Sequence, residues 1–514
     1  MKLKARLLNI QAGGKNIAIL GEVTSSSLGV HSSDRLEISH KDNHVVAIVN
    51  VAANFPHGSI GLYEETWKKL GMEAEEDVEV ELAMLPESLH YVQAKIRNER
   101  LRESEIDLII RDVVERHLSD IELSSFITAL YIHGLSMDEI EALTKAMVRT
   151  GRTLSLGKTP ILDKHSIGGI PGDKTSILVV PIIAAAGFTI PKTSSRAVTS
   201  PAGTADRVET LCPVDLTIEE MREVVEKTNG CMVWGGALEL APADDIFIQI
   251  EYPLAIDPML LPSIMSKKKA IGATHVVLDI PTGGGAKIKT ISEADALAAD
   301  FIDLGKRLGI NVQCGVTFGE QPLGNAVGPA LEAREALAAI TGNGPADLRE
   351  KATSLAGILL EMVGKERGKQ VADELLKSGK AEEKLKQIIQ AQGGDPRVKP
   401  EEIAVGDKKS ELIADKDGEV LRISNEDIAK IAKEAGAPKD KGAGLLLKVK
   451  LRDHVKKGQV LFEIIAERNT KLEPAVELAN KLRPVGLSQK PEDRILMERI
   501  PTPVMHKKTF ILER

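Results

Sequence analysis

The sequence predicts an α/β protein built in four parts: a small β-rich domain over residues 1–84, a helical lobe over 85–155 completed by about 240–270, a central α/β lobe with a mixed or parallel sheet over 156–400, and an α+β domain over 401–514. Three shifts of residue pattern carry that prediction. Short alternating or apolar segments punctuated by turn residues run as far as Met84, and helical periods follow in close succession. Beyond Ile161, apolar β-like runs alternate with helices, as they do in a parallel sheet. At 514 residues the chain is also too long for one compact core and has room for a sizeable site between domains.

In the first part, 5–10, 17–20, 35–39, 44–51 and 77–83 read as strands. Residues 87–100, 103–117, 122–133 and 137–150 read as helices. The last is opened by the capping box Ser136-x-x-Glu139, in which hydroxyl and carboxylate each satisfy a backbone N–H of the first turn. In the central part the apolar run 177–186 has strand character, as does 275–278. Helices are expected at 217–228, with a capping box at Thr217-x-x-Glu220, and at 292–308. The last part shows strands at 411–414, 418–423, 445–451 and 459–464 around a helix at 425–435. Its segment 453–461 has the strand-turn-strand grammar of lipoyl and biotinyl carriers but lacks their Met-Lys-Met or Asp-Lys-Ala hairpin, and so reads as scaffold.

Composition narrows the function. The formal net charge of −8 argues against general nucleic-acid binding, so a phosphorylated substrate would have to be drawn in by a local positive cluster. Cys212, Cys231 and Cys314 are odd in number and widely spaced, so neither a disulfide framework nor a zinc site is expected. Residues 1–10 alternate like a strand rather than a signal peptide, and no charge-free apolar run reaches about 18 residues. A cytoplasmic protein without membrane contact and without a metal is expected.

Four stretches carry chemistry. In 163–175, Gly168, Gly169 and Gly172 sit among Lys164, Ser166, Lys174 and Thr175; glycines let backbone N–H groups approach an oxyanion and the side chains add donors. Asp173 separates Gly172 from Lys174, so this is not a Walker A loop. In 192–206, hydroxyls recur around Arg196, which can grip two oxygens at once, although a solvated Ser/Thr-rich loop would read the same way. In 256–269, Asp257 lies between Ile256 and Pro258 ahead of Met259. A desolvated setting that raises its pKa towards the range of a general acid is expected, the alternative being that it merely opens a helix. Ser263 and Lys267 would share one face of that helix. In 279–287 a glycine run ends in Lys287, which is either a second phosphate contact or part of a flexible joint.

Taken in order, Asp-Lys-His-Ser-x-Gly-Gly at 163–169, the hydroxyl-rich 194–204, Ser-Ile-Met-Ser-Lys at 263–267 and the glycine-rich loop resemble the thymidine and pyrimidine nucleoside phosphorylase family. The β-rich extension and Ser-Ser-Arg-Ala-Val-Thr-Ser-Pro-Ala-Gly-Thr-Ala-Asp at 194–206 are similar to its archaeal AMP phosphorylase branch. The resemblance implies phosphorolysis of AMP, and possible extension to CMP and UMP, giving free base and ribose 1,5-bisphosphate. It implies no cofactor, inorganic phosphate being a co-substrate, and a homodimer or larger homo-oligomer. It assigns Lys164, Ser166, Ser176, Ser194 and Thr204 to phosphate, and Gly169, Ser195, Arg196, Ala197, Val198, Thr199, Ser200, Thr204, Ser263 and Lys287 to the nucleotide, with Asp257 as proton donor. One departure is visible. Where nucleoside phosphorylases read a pyrimidine with an arginine, this chain has Ala241-Pro242-Ala243-Asp244-Asp245-Ile246-Phe247-Ile248. A thymidine or pyrimidine nucleoside phosphorylase and a non-catalytic nucleotide-binding assembly protein are the competing readings.

Overall fold

A computed structural model gives the fold and describes residues 1–197 and 200–488. The N-terminal strands Lys2–Leu7, Ile17–Gly21, Arg35–His40, Asn43–Ala52, Ser59–Leu62 and Asp77–Leu82 close into a barrel. Alternation explains the closure: Leu3 and Ala5 on the first strand, and Leu36 and Ile38 on the third, point into one interior core while their neighbours face outwards. Closing the sheet also leaves no free strand edge. Arg35 pairs with Glu122 and Lys15 with Asp120, which seats the barrel on the helical lobe.

That lobe consists of the helices Ser88–Ile96, Glu103–Val114, Asp120–His133 and Met137–Arg149, packed around one apolar cluster with the later helix Pro242–Leu254. Ser136 and Glu139 form the expected capping box, as do Ser119 and Glu122. Glu139 is buried and also accepts from Lys95 at 2.8 Å, so one carboxylate caps a helix and ties it to its neighbour.

The central sheet is parallel. Asn311–Phe318, His275–Thr282 and Leu162–Ser166 form one half, and Ile190–Ser194 with Gly230–Trp234 the other. The backbone link between the halves is a bridge at Ile161 and Thr189, with Leu162 N donating to Thr189 O at 2.8 Å. Beyond it the strands part, leaving a split at their carboxyl ends, the place where open parallel sheets bind ligands.

The run 177–186, expected as a strand, lies in the helix Thr175–Ala185 and its C-cap Ala186. Thr175 through Ala184 are all buried, so there is no polar face whose spacing would reveal the 3.6-residue period, and an apolar run of this length is ambiguous by pattern alone. The correction matters for chemistry, because the loop 167–174 runs from the strand Leu162–Ser166 directly into a helix N-terminus. Four further helices, Pro329–Ile340, Ala346–Met362, Gly368–Lys377 and Lys380–Ala391, share the core of Thr175–Ala185.

In the C-terminal part, Gly444–Leu447, Val460–Ala466 and Lys408–Ile413 form an antiparallel sheet that Ala326–Val327 extends, and His454–Val455, Gly418–Ile423 and Val485–Leu487 form a second. The carrier-like segment is thereby divided between two sheets. Among the described residues no helix is long and apolar enough to cross a membrane.

Candidate active site

The split in the sheet gathers the residues assigned to phosphate. Lys164 and Ser166 lie on Leu162–Ser166, Ser194 ends Ile190–Ser194, and Ser176 sits in the first turn of Thr175–Ala185, where unpaired N–H groups and the helix dipole favour an anion. Thr204 opens the short helix Thr204–Val208, and its Oγ1 accepts from Arg207 at 3.4 Å. Asp206 shapes the intervening loop by accepting from Ala197 N at 2.7 Å and Gly203 N at 2.8 Å. A Cβ on Gly203 would stand 2.5 Å from Ser195 O, so only glycine permits this fold of the loop. Ser200 bonds Ala202 O, whereas Val198 and Thr199 lie outside the described residues.

Arg196 does not have the free guanidinium expected of it. It holds Glu209 through two bonds of 2.9 and 2.7 Å, reaches Asp215 at 3.1 Å, and lies over the Trp234 ring at 4.9 Å. Its side chain pulls the Glu209 carboxyl down to about 2. Glu209 also binds Lys441 at 2.6 Å, so this arginine anchors the loop to the C-terminal part.

Beneath the split lies a buried charge array that residue spacing did not reveal. Asp163 binds Lys268 at 2.6 Å and lies 3.8 Å from Lys192. Asp279 binds Lys351 at 2.7 Å and lies 3.9 Å from Lys164, which is also 3.7 Å from Asp173. Desolvation, Lys268, Lys192, Lys164 and Lys267 together hold the His165 imidazole well below its ordinary 6.5, so this ring is neutral at physiological pH. A neutral His165 adds no charge to the anion site; it can only donate or accept one hydrogen bond from each nitrogen.

The helix Leu260–Ala270 carries Ser263 and Lys267 one turn apart, as expected. Lys267 is taken by Asp244, which is wholly buried and belongs to the segment where the resembled family has an arginine. Asp257 departs from expectation. Its side chain is 47% exposed and pairs with Lys287 at 3.5 Å, because it lies on a connection at the rim of the helical lobe rather than inside an apolar wall. The desolvated carboxyl nearby is Glu251, which accepts from Met259 N at 3.2 Å. Burial, then the charge of Asp257, pushes Glu251 up to about 8.

Lys287 therefore reaches across the cleft to Asp257 instead of standing free for phosphate. Its backbone fixes the neighbouring loop: Gly169 has φ +95° and a Cβ there would lie 2.6 Å from Lys287 N. Loop 167–174 and the glycine-rich loop are thus in contact, and Gly169 is the residue that permits it.

Comparisons with known proteins agree with the fold. The family described as "Glycosyl transferase family, helical bundle domain" matches residues 89–151, and "Glycosyl transferase family, a/b domain" matches 158–382. "Pyrimidine nucleoside phosphorylase C-terminal domain" matches 420–485. The AMP phosphorylase of Thermofilum pendens is 50% identical over 500 residues, covering 97% of this chain and 98% of that protein. That of Thermococcus kodakarensis is 51% identical, covering 95% and 98% respectively, and that of Methanosarcina barkeri 46% identical, covering 98% and 99%. Among solved structures, anthranilate phosphoribosyltransferase from Thermus thermophilus superposes with a TM-score of 0.51 at 22% identity, covering 59% of this chain and 98% of that one, a likeness of fold.

Proposed function

The chain belongs to the AMP phosphorylase family of pentosyltransferases, and from that premise we propose that it cleaves the N-glycosidic bond of AMP with inorganic phosphate, giving adenine and ribose 1,5-bisphosphate. What supports the reading is that Lys164 with Ser166, and Ser194, lie on the two parallel strands that part at the split, with Ser176 in the first turn of the helix that follows. Phosphate is already a nucleophile and needs to be positioned, not activated. Lys164, the hydroxyls and the helix N-terminus hold it and offset its repulsion from the nucleotide's own phosphate. Bond breaking builds cationic character on the sugar and negative charge on the departing base. Asp257, with water and Lys287 displaced by bound nucleotide, protonates a purine ring nitrogen, while Ser263 and the loop after Ser194 hold the nucleotide. Apposition of the two lobes excludes water that would otherwise trap the sugar cation. CMP and UMP are further substrates in this reading, and no cofactor takes part.

The test is a substrate panel with and without phosphate, read by chromatography of the released base. Phosphate-dependent adenine release from AMP is expected, with none from thymidine or uridine. Release from thymidine or uridine instead makes the protein a nucleoside phosphorylase, and AMP binding without release makes it a binding protein.

The enzyme acts in the cytoplasm as at least a homodimer, joined through the helical lobe. Ile121, Tyr131 and Ile132 on Asp120–His133 are more than half exposed and, with Ile96 and Leu254 beside them, form an apolar patch of the kind that marks a subunit contact. Light scattering is expected to give at least two copies, and Ile132→Asp to lower that number.

A further inference from the structure

Lys192 is a buried amine that, among the described residues, has no close carboxylate of its own. It is 4% exposed, and Asp163, the carboxylate within 4 Å of its Nζ, is already bound at 2.6 Å by Lys268. Its Nζ otherwise donates to the carbonyl of Thr193. By contrast, Lys268, Lys351 and Lys267 each have a close carboxylate of their own in Asp163, Asp279 and Asp244. Lys192 stands two residues before Ser194 and hence on the same side of its strand. Across the split, on the parallel strand, are Lys164 and Ser166.

We propose that Lys192 is a phosphate-site residue whose amine, at the pH values where the empty site leaves it neutral, takes up a proton from solvent as the anion enters. This rests on the reading of the split as the seat of a phosphoryl group. The groups that face Lys192 are Asp163, Lys164 and His165 from Leu162–Ser166, Lys268 from Leu260–Ala270 and Cys231 from Gly230–Trp234. Burial and Lys268, against the pull of Asp163, bring its pKa from 10.5 to about 7. An oxyanion within hydrogen-bond reach favours the charged form and raises that value again. The sign follows. Below about pH 7 the site binds with Lys192 already charged; above it, binding must draw in a proton, so affinity falls by up to about tenfold per pH unit until the pKa of the complex is passed.

The probe is sulfate, a dianion that does not itself titrate near neutrality, measured by calorimetry on the full chain in two buffers of different ionisation enthalpy. At pH 8 the wild type is expected to take up most of one proton and Lys192→Met none. At pH 6 Lys192→Met should bind sulfate at least about tenfold more weakly, the gap closing by pH 9. Lys192→Arg, charged at every pH used, should keep the affinity and lose the uptake, which separates charge from folding. Comparing KM for phosphate with KM for AMP in Lys192→Met distinguishes the attacking phosphate from the nucleotide's own. A wild type that releases adenine with phosphate but shows the same proton uptake as Lys192→Met overturns the inference and leaves the proposed function standing. A wild type that binds no sulfate and releases no adenine overturns both.

Discussion

Asp257→Asn is expected to lower kcat for phosphorolysis of AMP by about 10²–10⁴-fold, the contribution of a positioned general acid, with a much smaller change in KM. An amide keeps the shape of the side chain but has no acidic proton to give to the base. In the empty enzyme Asp257 is half exposed and ion-paired with Lys287 at 3.5 Å. The pair joins a connection of the helical lobe to the glycine-rich loop of the sheet, so a purine entering the cleft must part the two and strip water from both. In the proposed mechanism Asp257 therefore meets the base only once substrate has parted this pair. Glu251 provides the control. Its carboxyl is already pushed up to about 8, so it is protonated at pH 7, and Glu251→Gln, which mimics the neutral form, should keep kcat near that of the wild type there. Between the ordinary 4.5 and about 8 the native state holds a proton on Glu251 that the unfolded chain releases, so stability falls with rising pH in that window, and Glu251→Gln should remove the slope. Unchanged kcat in Asp257→Asn, or a collapse of kcat at pH 7 in Glu251→Gln, would move the acid from one carboxyl to the other.

What could be read from sequence was the chemistry that acts over a few residues. Ser136 with Glu139 and Thr217 with Glu220 cap helices as their spacing indicates, and 275–278 lies in the strand His275–Thr282. Interactions between distant segments were not legible. Arg196 looked available because Glu209 and Asp215, which occupy it, are brought to it only by the fold of the loop on Asp206. Asp257 looked desolvated because apolar neighbours in sequence do not cover a residue at the rim of a lobe, whereas Glu251, six residues earlier, is turned inward. The helix Thr175–Ala185 hid its period by being buried on every side. The lysine and aspartate array under the split draws on Leu162–Ser166, Ile190–Ser194, Leu260–Ala270, His275–Thr282 and Ala346–Met362, and no local pattern marks such a meeting.

Lys351→Met should cost about 3–5 kcal/mol of stability, because removing one member of a buried ion pair strands the other. For a chain of 514 residues that is a fall in Tm of about 3–5 °C. Lys351 is 6% exposed, and its Nζ lies 2.7 Å from Asp279 and 3.8 Å from Asp173. Burial would lower its pKa, but Asp173 and Asp279 outweigh burial and hold it above the ordinary value, so the amine is charged wherever the protein is folded near neutrality. Asp173 is likewise held well below 3.8: burial opposes this, and Lys164 and Lys351 overcome it. Its stabilising share is therefore present above pH 3.8 and lost only as pH falls through the lower folded value, and measurements at pH 7 read the whole effect. With Lys351 gone, two carboxylates face Lys164 alone and draw its ammonium away from the anion, so KM for phosphate should rise together with the loss of stability. Asp279→Asn added to Lys351→Met leaves one cation, Lys164, against one anion, Asp173, at 3.7 Å, and the amide oxygen can still accept from Thr317 Oγ1, now 2.6 Å from Asp279. The double variant should recover much of the lost Tm and of the phosphate KM. Losses that simply add in the double variant would mean that Lys351 acts by packing, and that the charge array under the split does not set the position of Lys164.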